Sequence, residues 1–267
     1  MTKEAKLRIL VTFAVDAEFA PWRKMRHFRL IDYDGLRLWR TDAGDAEVTA
    51  LVTGIGTQAA AQAMDLMMRM ADDDRHFDVC ISSGLAGALQ KGLAPGDIIA
   101  PQSLIVERPP IDFGSNELKV DAELRKAAVA AGALCSDCLF TTDRVFVKAS
   151  QKQDCASRAQ SVDMESFEIV RDASAWGARA VVLRAISDTA EEDLPINFNR
   201  TLSKKNGISI AKVLLELAQN PLVLPALLRF GRQSRFAAER LAGFLESYVQ
   251  QLSTSSQLGR SREVAAG

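Results

Sequence analysis

The chain has 267 residues, and its 33 lysines and arginines against 34 aspartates and glutamates leave a formal charge of -1 at pH 7. This balance gives no electrostatic reason to expect a nucleic-acid partner. No stretch approaches the roughly 18 apolar residues that a membrane-spanning helix needs, and the first apolar run, residues 9–15, lacks the cleavage region of a signal peptide. We therefore expect a cytoplasmic protein that is long enough to bury a substantial core.

The four cysteines, Cys80, Cys135, Cys138 and Cys155, include a single C-x-x-C pair. No second pair follows at the spacing of a zinc site, and the two histidines lie far away in sequence. This pattern favours reduced structural thiols over a redox or metal site. We expect neither a metal nor a cofactor.

The first quarter of the chain alternates strand and helix signals. Residues 8–14 predict a strand, and the helix behind it opens with acidic residues, among them Glu18. Two short apolar runs at 36–40 and 48–52, with Asp and Gly between them, predict a hairpin. The helix that begins after Thr57 carries methionines at helical spacing, which indicates core packing rather than a cofactor site.

The segment 54–59 reads Gly-x-Gly-x-x-Ala and nominally matches the dinucleotide-binding fingerprint. That fingerprint also requires an acid at the end of the next strand, whereas Asp72–Asp74 precede the predicted strand at 77–82. Dinucleotide binding is therefore disfavoured. The same strand leads into the small residues 83–88, which predict a turn that either lets backbone amides approach a ligand or packs tightly on the sheet.

The middle of the chain supplies further elements and one long loop. Residues 107–117, with two prolines and Phe113, predict a mobile loop able to cover a site. Residues 161–168 predict the start of a helix, where the helix dipole alone would favour an acid such as Glu165. The remaining predicted elements are a turn at 95–97, strands at 98–100 and 133–141, and a helix at 121–131.

The apolar run 181–188 delivers Arg184, Ser187 and Asp188 to its far end. It opens with three aliphatic residues without alternation, as expected of a strand buried on both faces of a parallel sheet. Ligands of open α/β sheets bind outside the carboxyl ends of the strands, so Asp188 is a candidate to hold or give a proton. The alternative is that Asp188 only caps the following turn.

The chain beyond Asp188 predicts a loop at 189–200 and a helix at about 203–219, ended by Asn220-Pro221. Residues 220–252 predict a helical extension, and the Ser-rich residues 253–267 a disordered tail. The apolar positions of 225–252 fit two alternatives. One is a helix packed on the core or across a dimer interface, and the other, suggested by the arginines on its remaining faces, is a membrane-surface helix.

Several motifs occur together in the order found in one family. The chain resembles the nucleoside phosphorylase/nucleosidase superfamily, and most resembles its methylthioadenosine/S-adenosylhomocysteine nucleosidase branch, from about Leu7 to Gln219. The motifs that carry the resemblance are Ala14-Val15-Asp16-Ala17-Glu18, Thr53-Gly54-Ile55-Gly56, Ser83-Gly84-Leu85-Ala86-Gly87, Pro95-Gly96-Asp97-Ile98, Val162-Asp163-Met164-Glu165 and Arg184-Ala185-Ile186-Ser187-Asp188. The last two are the most specific.

The resemblance implies a three-layer α/β sandwich around a central mixed sheet, with residues 1–219 as the catalytic domain. It implies cleavage of the N-glycosidic bond of a purine nucleoside and, by analogy, a homodimer. Asp188 would be the general acid at purine N7, and Glu18 with Arg184 would prepare water. Glu165 would hold the ribose hydroxyls and Met164 would pack beneath the sugar. The remaining substrate-binding residues that it implies are Ser187, Phe146, Val145, Ala86 and Gly87.

The chemistry suits these residue types, because breaking the C–N bond leaves positive charge on the sugar and negative charge on the base. A donor Asp must keep its proton near neutral pH, which burial or a neighbouring acid would achieve. A base at Glu18 needs the opposite tuning, and we expect Arg184 to supply it. These two carboxyls would then divide the acid and base roles.

Water is favoured over phosphate as the nucleophile. The segment around Leu85 offers no arginine for a phosphate anion, although Arg23, Arg26 and Arg108 lie on segments that could reach the site.

Two departures from the family pattern concern the substrate. Leu85 stands where a small polar residue is usual, and Arg144 with Phe146 form an unfamiliar frame for the base. The long extension would suit the hopanoid-associated branch of the superfamily, which is thought to release adenine from an adenosylated lipid. The alternative to an enzyme is a non-catalytic nucleoside-binding or membrane-surface module on the same fold.

Overall fold

The computed structural model describes residues 6–33, 36–70, 76–106, 116–203, 207–208, 213, 215, 217 and 219–266. Within these residues ten strands form one mixed sheet. They are β1 (Leu7–Phe13), β2 (Arg29–Tyr33), β3 (Leu36–Ala43), β4 (Ala46–Val52), β5 (Val79–Ala88), β6 (Ile98–Val106), β7 (Glu117–Lys119), β8 (Leu134–Thr141), β9 (Ser161–Asp163) and β10 (Arg179–Asp188). The helices are α1 (Asp16–Met25), α2 (Thr57–Met70), α3 (Ala122–Ala130), α4 (Ala149–Cys155), α5 (Ser166–Ala175), α6 (Phe198–Thr201) and α7 (Leu224–Ala266).

Strand β10 is the junction of the sheet. The strand order is β10-β6-β8-β9-β5-β1-β4-β3-β2, with β7 paired to β6. Strand β10 runs parallel to β5 and antiparallel to β6, so β5, β9, β8, β6 and β10 close into a ring. Strands β1, β5 and β10 are mutually parallel, and their carboxyl ends therefore open at the same edge of the sheet.

Two helical layers cover the sheet, and β10 packs against both. Val181 and Leu183 belong to a core with α1, α3 and α7, whereas Val182 and Ile186 belong to a core with α2 and α5. All four side chains are fully buried. The unalternated apolar run is thus a doubly buried strand, and the three-layer α/β fold predicted from the sequence is confirmed.

The structure corrects two local predictions and adds one helix that was not predicted. Residues 83–88 continue strand β5 instead of forming a turn, because β10 pairs with them and β9 pairs with Gly87 and Ala88. Residues 161–163 form strand β9, so the helix begins only after Glu165. Helix α4 was not predicted, because its polar sequence carries no apolar stripe.

Helix α7 is part of the main core. Its inward face carries fully buried Leu241, Leu245 and Tyr248, and the Tyr248 hydroxyl donates to the carbonyl of Leu124 in α3 at 2.7 Å. Of the two alternatives for residues 225–252, packing on the core is therefore confirmed for this face. The backbone is helical to Ala266, which differs from the disordered tail expected at 253–267.

A polar clamp joins α7 to α1. Glu246 accepts hydrogen bonds from Trp22 Nε1 at 2.9 Å and from Arg26 Nη2 at 2.6 Å, and these groups lie partly buried. Trp22 itself is fully buried beside Phe19 and Phe13. The clamp fixes the spacing between two helices that, as described below, border the functional cavity.

Two predicted segments fall largely outside the described residues. Of the loop at 107–117, only residues 116 and 117 are described, so Arg108 and Phe113 lie outside. Where a helix was expected at about 203–219, Leu202–Ser203 and Gly207–Ile208 form a two-stranded ladder, whereas the described residues 213, 215, 217 and 219 are helical. Among the described helices, none has a stretch apolar and long enough to cross a membrane.

Candidate active site

A cavity of about 1090 Å³ opens at the carboxyl ends of β1, β5 and β10. It brings together residues from distant parts of the sequence, as the motifs predicted. Every predicted site residue except Arg184 lines it: Glu18, Ala86, Gly87, Val145, Phe146, Met164, Glu165, Ser187 and Asp188. Since Glu18, Glu165 and Asp188 are separated by up to 170 positions yet border one cavity, the site is a product of the sheet topology.

A β-bulge aims two consecutive side chains at this cavity. Ile186 pairs with Ala86 and Asp188 pairs with Gly87, so Ser187 is the extra residue in β10. In a regular strand Ser187 and Asp188 would point to opposite faces. The bulge lets both line the cavity, which places the Ser187 hydroxyl 2.6 Å from Asp188 Oδ1 as its hydrogen-bond donor.

Asp188 is buried, with 6% of its surface exposed, and both of its carboxyl oxygens accept hydrogen bonds. Oδ1 accepts from Ser187, and Oδ2 accepts from Lys152 Nζ at 2.5 Å. A Cβ at position 87 would lie 3.1 Å from Oδ2 and 3.5 Å from Oδ1, so Gly87 leaves this carboxyl open to the cavity. The partner of the predicted acid is thus a cation, not the neighbouring acid that sequence reasoning allowed.

Lys152 is a site residue, at the same end of the cavity as Asp188, that sequence reasoning missed. It lies on α4 and also lines the cavity, yet only 1% of it is exposed. Its ammonium donates to Asp188 Oδ2, to the carbonyl of Thr189 at 2.6 Å and to that of Glu192 at 3.0 Å. A single lysine in the polar run Ala-Ser-Gln-Lys-Gln-Asp-Cys carries no sequence signal for such burial.

Glu18 is held in a cluster of backbone amides. Its carboxylate accepts from Ala14 N at 2.9 Å and from Leu85 N at 3.0 Å, with Val15 N at 3.4 Å. Burial raises the pKa of Glu18, although Arg184 and these amides act to lower it. The expectation that Arg184 would lower this pKa overall is wrong, because loss of hydration is the larger effect.

Glu165 faces the glycine loop that follows β4. Gly56 N donates to Glu165 Oε1 at 2.9 Å, so this amide serves a carboxylate of the same chain. Burial raises the pKa of Glu165; Arg184 opposes the rise, while Asp163 and Glu18 add to it. The Gly-x-Gly turn thus positions an acidic side chain of the cavity.

Arg184 lies beneath the cavity rather than on its surface. The side chain is 1% exposed, and Nη2 lies 2.6 Å from Asp163 Oδ2 and 3.6 Å from Glu165 Oε2. Ser166 Oγ also accepts from Nη2 at 3.0 Å. Arg184 thus lies behind the acidic residues and does not line the cavity, and its predicted role beside Glu18 stays a prediction.

The other end of the cavity is an apolar groove between α1 and α7, which we call the helix groove. Sequence reasoning did not assign any of α7 to the site, because its apolar positions were explained by core or membrane contact. The groove is lined by Ala17, Ala20, Pro21, Lys24 and Met25 of α1 and by Leu227, Phe230, Gly231, Ser234, Arg235, Ala238, Glu239 and Ala242 of α7. The opposite end, formed by Glu18, Glu165, Asp188 and Lys152, is called the acid end below.

No group of three or more His, Cys, Asp or Glu side chains within the described part of the chain is arranged to hold a metal ion. Cys135 and Cys138 are both free thiols on β8, and neither lines the cavity. The ionisable groups that line the cavity are the carboxyls of Glu18, Asp163, Glu165, Asp188 and Glu239, the ammonium groups of Lys24 and Lys152, and the guanidinium groups of Arg144 and Arg235.

Comparison with solved structures supports the same fold. The 5'-methylthioadenosine/S-adenosylhomocysteine nucleosidase of Helicobacter pylori aligns with a TM-score of 0.72 over 93% of this chain and 100% of its own, at 19% identity. The futalosine hydrolase of the same organism aligns with a TM-score of 0.70 over 91% of this chain and 99% of its own, at 17% identity. At these identities the likeness establishes the architecture alone.

Curated relatives and a family model match the sequence itself. The 5'-methylthioadenosine/S-adenosylhomocysteine nucleosidase of an Exiguobacterium species is 28% identical over 235 residues, which cover 80% of this chain and 91% of the relative. The protein of the same description from Glaesserella parasuis is 24% identical over 194 residues, covering 65% and 82%. Residues 9–219 match the family model described as Phosphorylase superfamily. The chain therefore belongs to the phosphorylase superfamily.

Proposed function

We propose that this protein hydrolyses the N-glycosidic bond of an adenine nucleoside that carries a 5'-substituent, and releases adenine. The observation that carries the proposal is the acid end, where three buried carboxyls from distant segments border one cavity. The names of the curated relatives, which are nucleosidases, support the same reaction. Asp188 assists departure of the base, Glu165 holds the ribose, and Glu18 activates water.

The hydrogen-bonding groups at Asp188 favour adenine over a 6-oxopurine. Along the edge that carries N7, adenine presents an acceptor at N7 and a donor at the 6-amino group, whereas guanine presents acceptors at both N7 and O6. The Asp188 carboxyl can accept from the amino group of adenine and direct a proton to N7. A 6-oxo group would instead set an oxygen against the carboxylate.

The surroundings of Glu18 favour water over phosphate as the nucleophile. A phosphate anion needs amide or cationic donors that converge on it. Here the amides of Ala14 and Leu85 already donate to Glu18. A phosphate at this position would compete with a buried carboxylate for the same donors and would be repelled by it.

The raised pKa of Glu18 suits a general base. A base works best when its pKa lies near the operating pH, because it must be ionised before the reaction and must accept a proton during it. Burial moves the pKa of Glu18 upward from the ordinary 4.5, toward neutrality. Glu18 can therefore take a proton from water as the oxygen attacks the sugar carbon C1'.

The helix groove indicates an apolar 5'-substituent of considerable size. The 5' carbon of a nucleoside bound at the acid end must point out of that end of the cavity. Pro21, Leu227 and Phe230 are among the side chains that line the way outward. Of the substituents that the family resemblance allows, methylthio, homocysteinyl and lipid, the groove fits an extended hydrocarbon best.

We also propose peripheral contact of this groove with a membrane. Leu222, just before α7, and Leu224 and Leu228, in its first turns, are 88%, 45% and 53% exposed, close in sequence to groove residue Leu227. An apolar patch at the opening would allow a lipid-linked substrate to enter directly. Because α7 is part of the core, removal of the segment after Gln219 would damage the fold, and a point variant is the appropriate test.

Co-sedimentation with phospholipid vesicles tests the membrane contact. Wild type is expected in the vesicle pellet, and the double variant Leu222→Glu with Leu228→Glu in the supernatant. Leu134→Glu, at a position 44% exposed on β8, is the control and is expected to sediment as wild type does. Equal recovery of wild type and the double variant in the supernatant would end this proposal. A homodimer remains a separate proposal by analogy, tested by light scattering in solution.

The reaction is tested with purified protein and defined nucleosides. Methylthioadenosine, adenosylhomocysteine, adenosine, inosine and a 5'-octylthioadenosine are incubated with and without phosphate, and free base is measured by liquid chromatography. Adenine release in phosphate-free buffer, fastest with the octyl compound, is expected. Strict dependence on phosphate would identify a phosphorylase instead, and binding without turnover a nucleoside-binding protein.

A further inference from the structure

We propose that Lys152 is the proton source for the departing base and acts through Asp188. This inference rests on the proposed hydrolysis of an adenine nucleoside. Its basis is an ammonium group placed 2.5 Å from the carboxyl that faces the base, in a position where neither residue is exposed to bulk water. Because Lys152 acts through Asp188, it is a positioning residue rather than a second acid in contact with the purine.

The hydrogen bonds of Lys152 suit a group that gives up one proton. Its ammonium has three N–H donors, and the three acceptors around it are Asp188 Oδ2 and the carbonyls of Thr189 and Glu192. After one proton has passed to Asp188, the neutral amine still has two N–H groups for the two carbonyls. The third position, facing Asp188, becomes a lone pair. Both states of the lysine are therefore satisfied by the same surroundings.

Asp188 is placed to pass this proton on. Gly87 leaves the cavity side of its carboxyl open, while Ser187 fixes the carboxyl by donating to Oδ1 at 2.6 Å. The Lys152–Asp188 ion pair as a whole carries one transferable proton and no net charge. A buried neutral pair costs less to maintain beside an apolar base than an isolated charge would.

The proton balance of the reaction closes with this assignment. The bond between C1' and the purine nitrogen breaks, and its electron pair stays on the purine. A proton passes from Lys152 through Asp188 to N7, so adenine leaves neutral. Water forms the new bond to C1' and gives a proton to Glu18. Glu18 then releases its proton to solvent and Lys152 takes one up, which restores the starting state.

The test uses two substitutions of the same lysine. Lys152→Met removes the charge and the proton, whereas Lys152→Arg keeps the charge but cannot release a proton, because the guanidinium is not deprotonated in proteins. We expect kcat for adenine release to fall by about 10²-fold or more in both variants, with KM within about threefold of wild type. Lys148 immediately precedes α4 and pairs with exposed Asp193. Lys148→Met is therefore the matched control, and we expect it to retain wild-type kcat.

A second substrate separates proton supply from a purely structural role. The p-nitrophenolate of p-nitrophenyl riboside leaves without protonation, so both Lys152 variants are expected to hydrolyse it at close to the wild-type rate. Wild-type kcat in Lys152→Met, full recovery in Lys152→Arg, or an equal loss on both substrates would each overturn the proposal. If wild type itself released no adenine, the proposed function would fail instead, and the two failures are thus distinguishable.

Discussion

The two ends of the cavity are built on different principles. At the acid end the ionisable side chains are more than nine-tenths buried, and each makes hydrogen bonds to the sheet or, for Glu165, to the glycine loop after β4. In the helix groove the lining comes from two helices, is mostly apolar, and includes exposed residues such as Gly231. Under the proposed function, the sheet and its loops position the catalytic groups, whereas the groove between α1 and α7 receives the 5'-substituent.

The largest effect that this comparison predicts is at Asp188. Asp188→Asn keeps the shape of the side chain, but it replaces one of the two accepting oxygens with an amide donor and cannot carry a proton to the base. We expect adenine release to fall by about 10²- to 10⁴-fold, the usual contribution of a general acid. Steady-state kinetics would measure it, with Glu191→Gln as a control because Glu191 pairs only with exposed Lys91 in the described contacts. If Asp188→Asn had the kcat of wild type, Asp188 would not be the general acid.

A second prediction concerns the pH dependence of the acid end. Glu18 must be ionised to accept a proton, and burial raises its pKa from 4.5. Glu18 is therefore protonated at a higher pH than an ordinary glutamate. We expect kcat/KM to begin falling, as the pH is lowered, at a pH clearly above 4.5. A profile from about pH 4 to about pH 9 tests this. Constant kcat/KM down to pH 4.5 would contradict the assignment of Glu18 as base.

The third prediction changes only the helix groove. Gly231 lines the groove, and a Cβ there would meet no heavy atom within 4 Å, so Gly231→Phe begins in open space and is expected to narrow the groove. We expect kcat/KM for 5'-octylthioadenosine to fall by about tenfold or more and that for adenosine to stay unchanged. Gly243→Phe is the matched control, since position 243 on the same helix has equal space and does not line the cavity. Equal losses on both substrates would show that the two ends are not separable.

The smallest expected effect is at the clamp between α1 and α7. Glu246→Gln weakens the charge-assisted bonds from Arg26 and Trp22 and should reduce the free energy of unfolding by about 1 to 2 kcal/mol. Thermal melting should show a Tm lower by a few degrees. We expect KM for the octyl compound to rise more than KM for adenosine, because the groove loses its fixed width. An unchanged Tm would mean that apolar packing alone sets the spacing.

Sequence reasoning recovered the acid end better than the helix groove, for a physical reason. Asp188 ends β10, whose unalternated apolar run is a local pattern, so its place at the carboxyl edge of the sheet could be predicted. The role of Glu165 came only from the family resemblance, because the strand before it was read as the start of a helix. Lys152 could not be found in this way, because its burial arises only when α4 packs against the loop that carries Thr189 and Glu192. Its own sequence is that of a solvated surface.

Helix α7 and strand β5 illustrate the same limit. The apolar positions of α7 were recognised, but a pattern of apolar residues does not reveal whether they meet the core, a membrane or a ligand. In β5 the run of small residues was predicted to turn, whereas pairing with β10 and β9 keeps it extended. In both cases tertiary contacts decide between structures that the local sequence permits equally.

Helix α7 begins at Leu224, whereas the match to the family model ends at residue 219. Under the proposed function, the residues within that match supply the acid end, and α7, which lies beyond it, supplies one wall of the helix groove. A substrate inferred only from proteins that resemble residues 9–219 would leave out the contribution of α7. Under the proposed function, a change of substrate can arise from substitutions in α7 while the catalytic residues stay the same.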